Sequence, residues 1–259
     1  MRDTWDARRA RASMTTQRRS DIPFDKGDGY LSIPLQSVSL EDLVDGLSSL
    51  LEGEAPCDEV RLLFFELLGN GPAGVDCDKR LIDKTHRFAL WFQELPYITV
   101  ALVDGKCSGW WLEFMFLCDM AYATEGSVLC VGEGFVPLLG GIQLAARTLG
   151  LSKAKGLFLL GEVEVSEVSG AFNGLVLDRG ELTKLKDKLS ASVLSLSQTA
   201  QVMTKRIVDA TWDISLEAGL SIEREMFSFA FSTQDKKEGI KAFFEKRRPN
   251  FVRRKCHEL

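Results

Sequence analysis

Apolar runs of strand length recur between stretches with helical spacing, and this alternation restricts the fold more than any other feature of the chain. Residues 30–35 alternate as a strand does, 40–51 carry helical spacing with Ser39 placed as an N-cap, and 60–68 form a buried-strand run. A glycine turn, 69–74, follows. Residues 78–95 read as a helix that stops before Pro96, and 98–103 read as a further β-branched strand. Strands separated by helical crossovers imply a parallel sheet.

Beyond Gly105 the pattern predicts a turn through 106–109, a long apolar helix over 110–121, a short strand over 127–131 and a glycine-punctuated loop over 132–141. Helices are expected over 142–149, stopped by Gly150, and over 153–160 and 166–172, with a strand-like stretch at 174–177. From 184 onward the spacing is helical almost to the end, over 184–203, 217–231 and 237–246. We therefore expect a basic, disordered tail over 1–25, an α/β core over 26–182 and a C-terminal helical lobe over 183–259. The tail assignment rests on six arginines among the first twenty residues in a context too poor in apolar side chains to build a core. An organelle transit peptide is a second reading of that arginine bias, and Asp3 and Asp6 weigh against it.

The 259 residues, 45% of them hydrophobic, suffice for one sizeable core, and no apolar stretch reaches the ~20 residues of a membrane helix. A net charge of −5 argues against a general nucleic-acid binder. Six scattered cysteines without CxxC spacing, and no secretory leader before them, read as reduced thiols of a cytoplasmic protein. His86 and His257 stand far from any cysteine pair, so no metal site is expected.

Three segments could carry chemistry. A helix starting near Gly109 leaves its first N–H groups unpaired and directs the positive end of its dipole forward. Glu113 lies in its first turn and, read alone, is an acid stabilised by that dipole. At Ala73-Gly74-Val75-Asp76 the glycine permits close approach of a ligand, and the Val75 N–H could face the same space. Gly132-Glu133-Gly134 adds a carboxylate that, by itself, reads equally as an exposed loop acid.

The succession AGVD, DGKCSGWWLEFMFLCDMAYA, GEGFVPLLGGIQLAARTLG, EVSGAFNGLV and STQDKKEGIKAFFEKRRPNF resembles the crotonase (enoyl-CoA hydratase/isomerase) superfamily over about residues 60–251. The resemblance implies a ββα spiral core with a C-terminal helical trimerisation lobe, and a homotrimer or hexamer. It also implies an oxyanion hole made by the N–H groups of Val75 and Trp110, and a catalytic pair, Glu113 and Glu133. Aligned backwards from Pro137 and the glycine pair, a residue near Cys130 would take the place of Glu133, because the loop is about three residues shorter than the family pattern; Glu133 is preferred. Ala73, Asp76, Gly109 and Trp111 fall where the family lines its substrate site, and Phe243 and Lys246 where it binds coenzyme A.

The implied reaction is hydration of an enoyl thioester or dehydration of a 3-hydroxyacyl thioester. Coenzyme A or phosphopantetheine enters only as part of the substrate, so no separate cofactor is expected, nor a nucleic-acid or membrane partner. Short-loop, glycine-poor members also occur in natural-product pathways, where a carrier protein holds the acyl group. The chain departs from the family in carrying Trp110 and Trp111 where glycines are usual. The tryptophan pair leaves one further reading, an accessory subunit with a tryptophan-filled pocket, and the two possible places of the second glutamate leave another, a decarboxylase or double-bond isomerase.

Overall fold

The runs at 62–68 and 98–103 are apolar at consecutive positions because both faces of their strands are covered. In the computed structural model, which describes residues 22–54, 59–75 and 77–251, β3 (Leu62–Asn70) and β4 (Ile98–Ser108) lie side by side and parallel in the middle of the sheet. Alternate residues divide between two cores. Leu63, Phe65, Ala101 and Val103 face the larger one, while Leu62, Phe64, Val100 and Leu102 face a smaller one with Leu182 and Val193.

Outside this pair stand β1 (Asp25–Gly27), β2 (Tyr30–Pro34), β5 (Met120–Thr124) and β8 (Gly174–Val176), in the order β1-β2-β3-β4-β5-β8. All of these pairings are parallel except β1 with β2. Two short strands, β6 (Val128–Cys130) and β7 (Glu162–Glu164), continue from the far end of β4.

The helices α1 (Leu40–Glu54) and α2 (Lys79–Gln93) begin where the sequence places them, capped by the side chains of Ser39 and Asp78, which accept from the N–H groups of Asp42 and Leu81. α3 (Trp110–Leu117) buries every one of its residues. It is hydrophobic almost all round, the pattern of a central helix. Phe114 anchors it, with ring centroids 4.8 Å from Phe65 and 5.1 Å from Phe92. α4 (Gly141–Leu149) and α5 (Leu151–Leu160) meet at Gly150, whose φ of 78° ends one and starts the other.

Several expectations need correcting. The turn predicted over 106–109 is mostly the last part of β4, which runs through Gly105 to Ser108, and the helix predicted to run to residue 121 ends at Leu117. Asp119 draws the chain back to the sheet, accepting from the N–H and Oγ1 of Thr99 at 2.8 and 3.0 Å while Thr99 Oγ1 accepts from Asp119 N–H. The helix predicted over 184–203 is two, α6 (Arg179–Leu194) and α7 (Gln198–Ala210), separated where the Ser197 hydroxyl caps the second. Residues 166–172 hold only a 3₁₀ turn, Ser169–Ala171. Ile22 is buried in the core, so the folded part begins before residue 25; residues 1–21 of the predicted tail lie outside the described residues. α8 (Leu216–Ser232) and α9 (Gln234–Phe244) are the last helices among the described residues.

α6 straddles the expected boundary at residue 182 and lies on the sheet, where it supplies Leu182 and Val193 to the smaller core. Lys186 fastens it there with a 2.6 Å bond to Glu66, whose carboxylate also accepts from Ser32. Burial alone would push the Glu66 carboxyl up, but hydrogen bonds from Lys186 and Ser32 outweigh it and hold the group below the ordinary range. A depressed carboxylate stabilises the fold above its unfolded-state pKa, and that contribution is lost as pH falls through the folded-state value. Lys186→Met is expected to cost about 1–3 kcal/mol near neutral pH. Urea unfolding at several pH values checks this: the gap to the parent chain should close in acid, and a gap that does not depend on pH would assign the loss to packing.

Among the described residues no helix is long and apolar enough to cross a membrane, and no three potential metal ligands cluster. The thiol of Cys107 is buried and that of Cys118 partly so, and desolvation pushes both up, which keeps them protonated.

Candidate active site

Two segments distant in sequence meet because β3 and β4 run in parallel to the same end. The register carries on from Asn70 opposite Lys106, and the Gly71 N–H donates to the Lys106 carbonyl at 2.8 Å. The chain leaving β3 then packs on the chain leaving β4. Ser108 Oγ donates to the Pro72 carbonyl at 3.2 Å, and a Cβ placed on Gly109 would lie 2.5 Å from that same oxygen. The turn 72–75 is thereby pressed against the start of α3.

Gly109 is the N-cap of α3 at φ 59°, ψ −137°, so the N–H of Trp110 is the first of the helix and has no acceptor within it. Val75 is half-buried against the larger core, and among the described residues its N–H meets no backbone carbonyl. The pairing expected between these two positions is thus between neighbouring segments. Ala73 is exposed on the same turn, and Asp76 lies outside the described residues.

The loop 132–140 closes the other side. A Cβ on Gly132 would stand 3.2 Å from the Ala73 carbonyl oxygen, and one on Gly74 would stand 3.4 Å and 3.6 Å from the carbonyl oxygens of Gly134 and Glu133. Glu133 is exposed at this contact, between two glycines of positive φ. Cys130, near which the other alignment would put that residue, is buried in β6 opposite Ser108. Glu133, by contrast, stands in solvent beside the turn.

Glu113 is in the first turn of α3, as the sequence indicates, but its carboxylate is not free. It is wholly buried and accepts three main-chain N–H groups, from Leu138 at 2.8 Å, Leu139 at 3.0 Å and Gly141 at 2.9 Å. Burial pushes its carboxyl up, against the pull of those three donors and of His86. No sequence signal pointed to this arrangement, because the donors belong to another helix start 25–28 residues away.

Trp110 and Trp111 are buried at 4% and 3% exposure. The Trp110 ring meets Phe114 edge to face at 6.1 Å and Trp111 at 6.4 Å, so the indoles belong to the aromatic packing of the core. Phe243 and Lys246 are exposed at the end of α9 and just after it, outside the core cluster that holds Trp110 and Val75. A cleft of about 220 Å³ lies elsewhere, between the end of α3 and residues 170–173, and none of the candidate residues lines it.

The pattern of the enoyl-CoA hydratase/isomerase family matches residues 78–254, more than half of the chain. The chain belongs to the enoyl-CoA hydratase/isomerase family. It is 35% identical over 158 residues to the "Probable enoyl-CoA hydratase, mitochondrial" of Dictyostelium discoideum, covering 59% of this chain and 57% of that protein. The chain thus spans less than two thirds of that curated relative.

A crystal structure of an enoyl-CoA hydratase from Bacillus anthracis superimposes with a TM-score of 0.77 at 22% identity, covering 90% of this chain and all of the other. A relative from Thermobifida fusca, solved in complex with CoA, superimposes at 0.70 with 20% identity over 83% of this chain and 94% of its own. These likenesses establish the crotonase fold expected from the sequence.

Proposed function

We propose that the chain adds water reversibly to an α,β-unsaturated acyl thioester, acting as a hydratase or, in reverse, as a 3-hydroxyacyl-thioester dehydratase. The observation that carries this reading is the packing of the turn 72–75 between the start of α3 and the loop of Glu133. It brings two main-chain donors and one exposed carboxylate onto adjoining segments. In this reading the thioester oxygen accepts from the N–H groups of Val75 and Trp110, which hold the negative charge of the enolate; such donors contribute roughly 3 kcal/mol each. Glu133 takes a proton from the water whose oxygen bonds to the β-carbon, and the resulting carboxylic acid returns a proton to the α-carbon. The sum is one H–OH across the double bond.

The substrate is an acyl-CoA or an acyl group on a carrier-protein phosphopantetheine, with Phe243 and Lys246 proposed at the nucleotide end. The short loop 132–140 and the tryptophan pair are the features that resemble family members of natural-product pathways. Assaying the same acyl group on CoA and on a carrier protein separates the two tethers.

A second reading has one observation in its favour, the occupied carboxylate of Glu113, which leaves a single open acid. Double-bond isomerisation needs only one, to remove a proton at C4 and return it at C2, and decarboxylation needs the oxyanion hole with an acid only to quench the enolate. Product analysis with crotonyl-, 3-hydroxybutyryl-, glutaconyl- and malonyl-type thioesters decides between them. Water gained or lost with the first two supports the hydratase; a shifted double bond or released carbon dioxide replaces it. The accessory-subunit reading requires an indole in the thioester site, and the packing of Trp110 on Phe114 speaks against it. Calorimetric titration with an acyl-CoA tests this directly, since tight binding contradicts a filled site.

We also propose a homotrimer or a pair of trimers. α8 buries none of its side chains, and Phe227, Phe229, Phe243 and Phe244 stand exposed along α8 and α9. An apolar surface of this kind marks an interface. A sedimentation mass equal to a single chain would contradict it.

A further inference from the structure

Both oxygens of Glu113 are committed, Oε1 to Leu138 and Oε2 to Leu139 and Gly141. The three donors close the loop 132–140 and open α4. Leu138 and Leu139 are buried with them, at 1% and 0% exposure. A Cβ on Gly141 would fall 2.5–2.6 Å from the Cγ, Cα and Cβ of Glu113, so the first residue of α4 rests directly on this side chain. At its other end the same loop lies against Ala73 and Gly74, and in between the Phe135 ring sits 5.7 Å from that of Phe158 on α5. The loop is therefore stretched between two anchors, with Glu133 next to the one that carries Val75.

A group that exchanges protons with a substrate must present an oxygen to it, and a carboxylate that is wholly buried and already accepts three main-chain N–H groups presents none to solvent. We infer that Glu113 is a positioning residue: its carboxylate pins the loop 132–140 and so holds Glu133 against the oxyanion turn. This rests on the reading of Val75, Trp110 and Glu133 as the reacting site. It separates the two glutamates into one that moves protons and one that fixes where the first stands. The titratable side chain that faces it from another element is His86 on α2, which is exposed and acts on Glu113 through space.

The test uses the full-length chain carrying Glu113→Gln or Phe135→Ala, compared with Glu133→Gln. Glu113→Gln keeps the volume but turns one acceptor into a donor facing N–H groups. Phe135→Ala loosens the loop without touching Glu113. Each should lower kcat roughly 10–100-fold, as expected for a misplaced reacting group, while the pH at which activity is half-maximal stays that of the parent. Amide exchange at Leu138, Leu139 and Gly141 should quicken at least ~10-fold in both variants.

The inference is overturned if Glu113→Gln abolishes a limb of the pH profile with those amides still protected, or if Phe135→Ala frees the loop and the rate is unchanged. A parent chain that turns over no thioester refutes the proposed reaction instead, and the exchange data still report whether the pin exists. Should Glu113→Gln not fold, Phe135→Ala carries both readouts by itself.

Discussion

Replacing Glu133 by Gln is expected to lower kcat by about 10²–10⁴-fold, the usual worth of a general acid–base group, with KM nearly unchanged. The side chain is exposed, and the φ values of Gly132 and Gly134, 79° and 69°, set the local backbone whatever stands between them. Glutamine fits the same turn, so the folded state should be affected by less than ~0.5 kcal/mol. Thermal unfolding alongside steady-state kinetics on an enoyl thioester makes the test complete. Activity within a fewfold of the parent removes Glu133 from the reaction and with it the single-carboxylate cycle. The effect should also exceed that of Glu113→Gln, the reverse of what two equivalent catalytic glutamates would give.

That contrast could not be read from the sequence, and the reason is physical. Both glutamates occupy places that the family resemblance assigns to acids, and spacing alone treats them alike. What distinguishes them is which backbone donors end up around each carboxylate, and those around Glu113 come from the end of the loop 132–140 and the start of α4. Burial of strands and amphipathic helices is written in local periodicity, so β2, β3, α1, α2 and the start of β4 were all legible. The end of α3 was not, since the apolar run continues from Trp110 through Ala123 without a glycine or proline, and the helix yields only to the bonds between Asp119 and Thr99.

Gly105 is the converse case. A glycine after a strand signals a turn, yet here it serves a strand that changes partner, pairing with β5 through Val103 and with β6 from Lys106. Its φ of 106°, and the 2.6 Å that would separate a Cβ from the Gly69 carbonyl oxygen, explain the residue without any turn.

Gly109→Ala is expected to cost about 10²–10³-fold in kcat, as much as losing an oxyanion-hole donor, because in the proposed site this glycine sets the distance between the two donors. Two effects act together. The φ of 59° and ψ of −137° suit glycine alone, and forcing another residue there costs on the order of 1–3 kcal/mol. The added methyl would also press on the Pro72 carbonyl oxygen at 2.5 Å, which is backbone and cannot swing aside as a flexible side chain could. Relief requires the turn 72–75 to move away from α3, and Val75 moves with it. A shift of 1 Å is enough to spoil such a site. The fold should survive with a lowered melting temperature, since Leu112, Phe114 and Leu117 keep α3 in the core. Binding of an acyl-CoA, measured by calorimetry, should weaken less than turnover does, because donors that match a developing oxyanion act more strongly on the transition state than on the bound thioester. A variant that folds, binds and turns over like the parent would mean that the amides of Val75 and Trp110 do not share one oxygen.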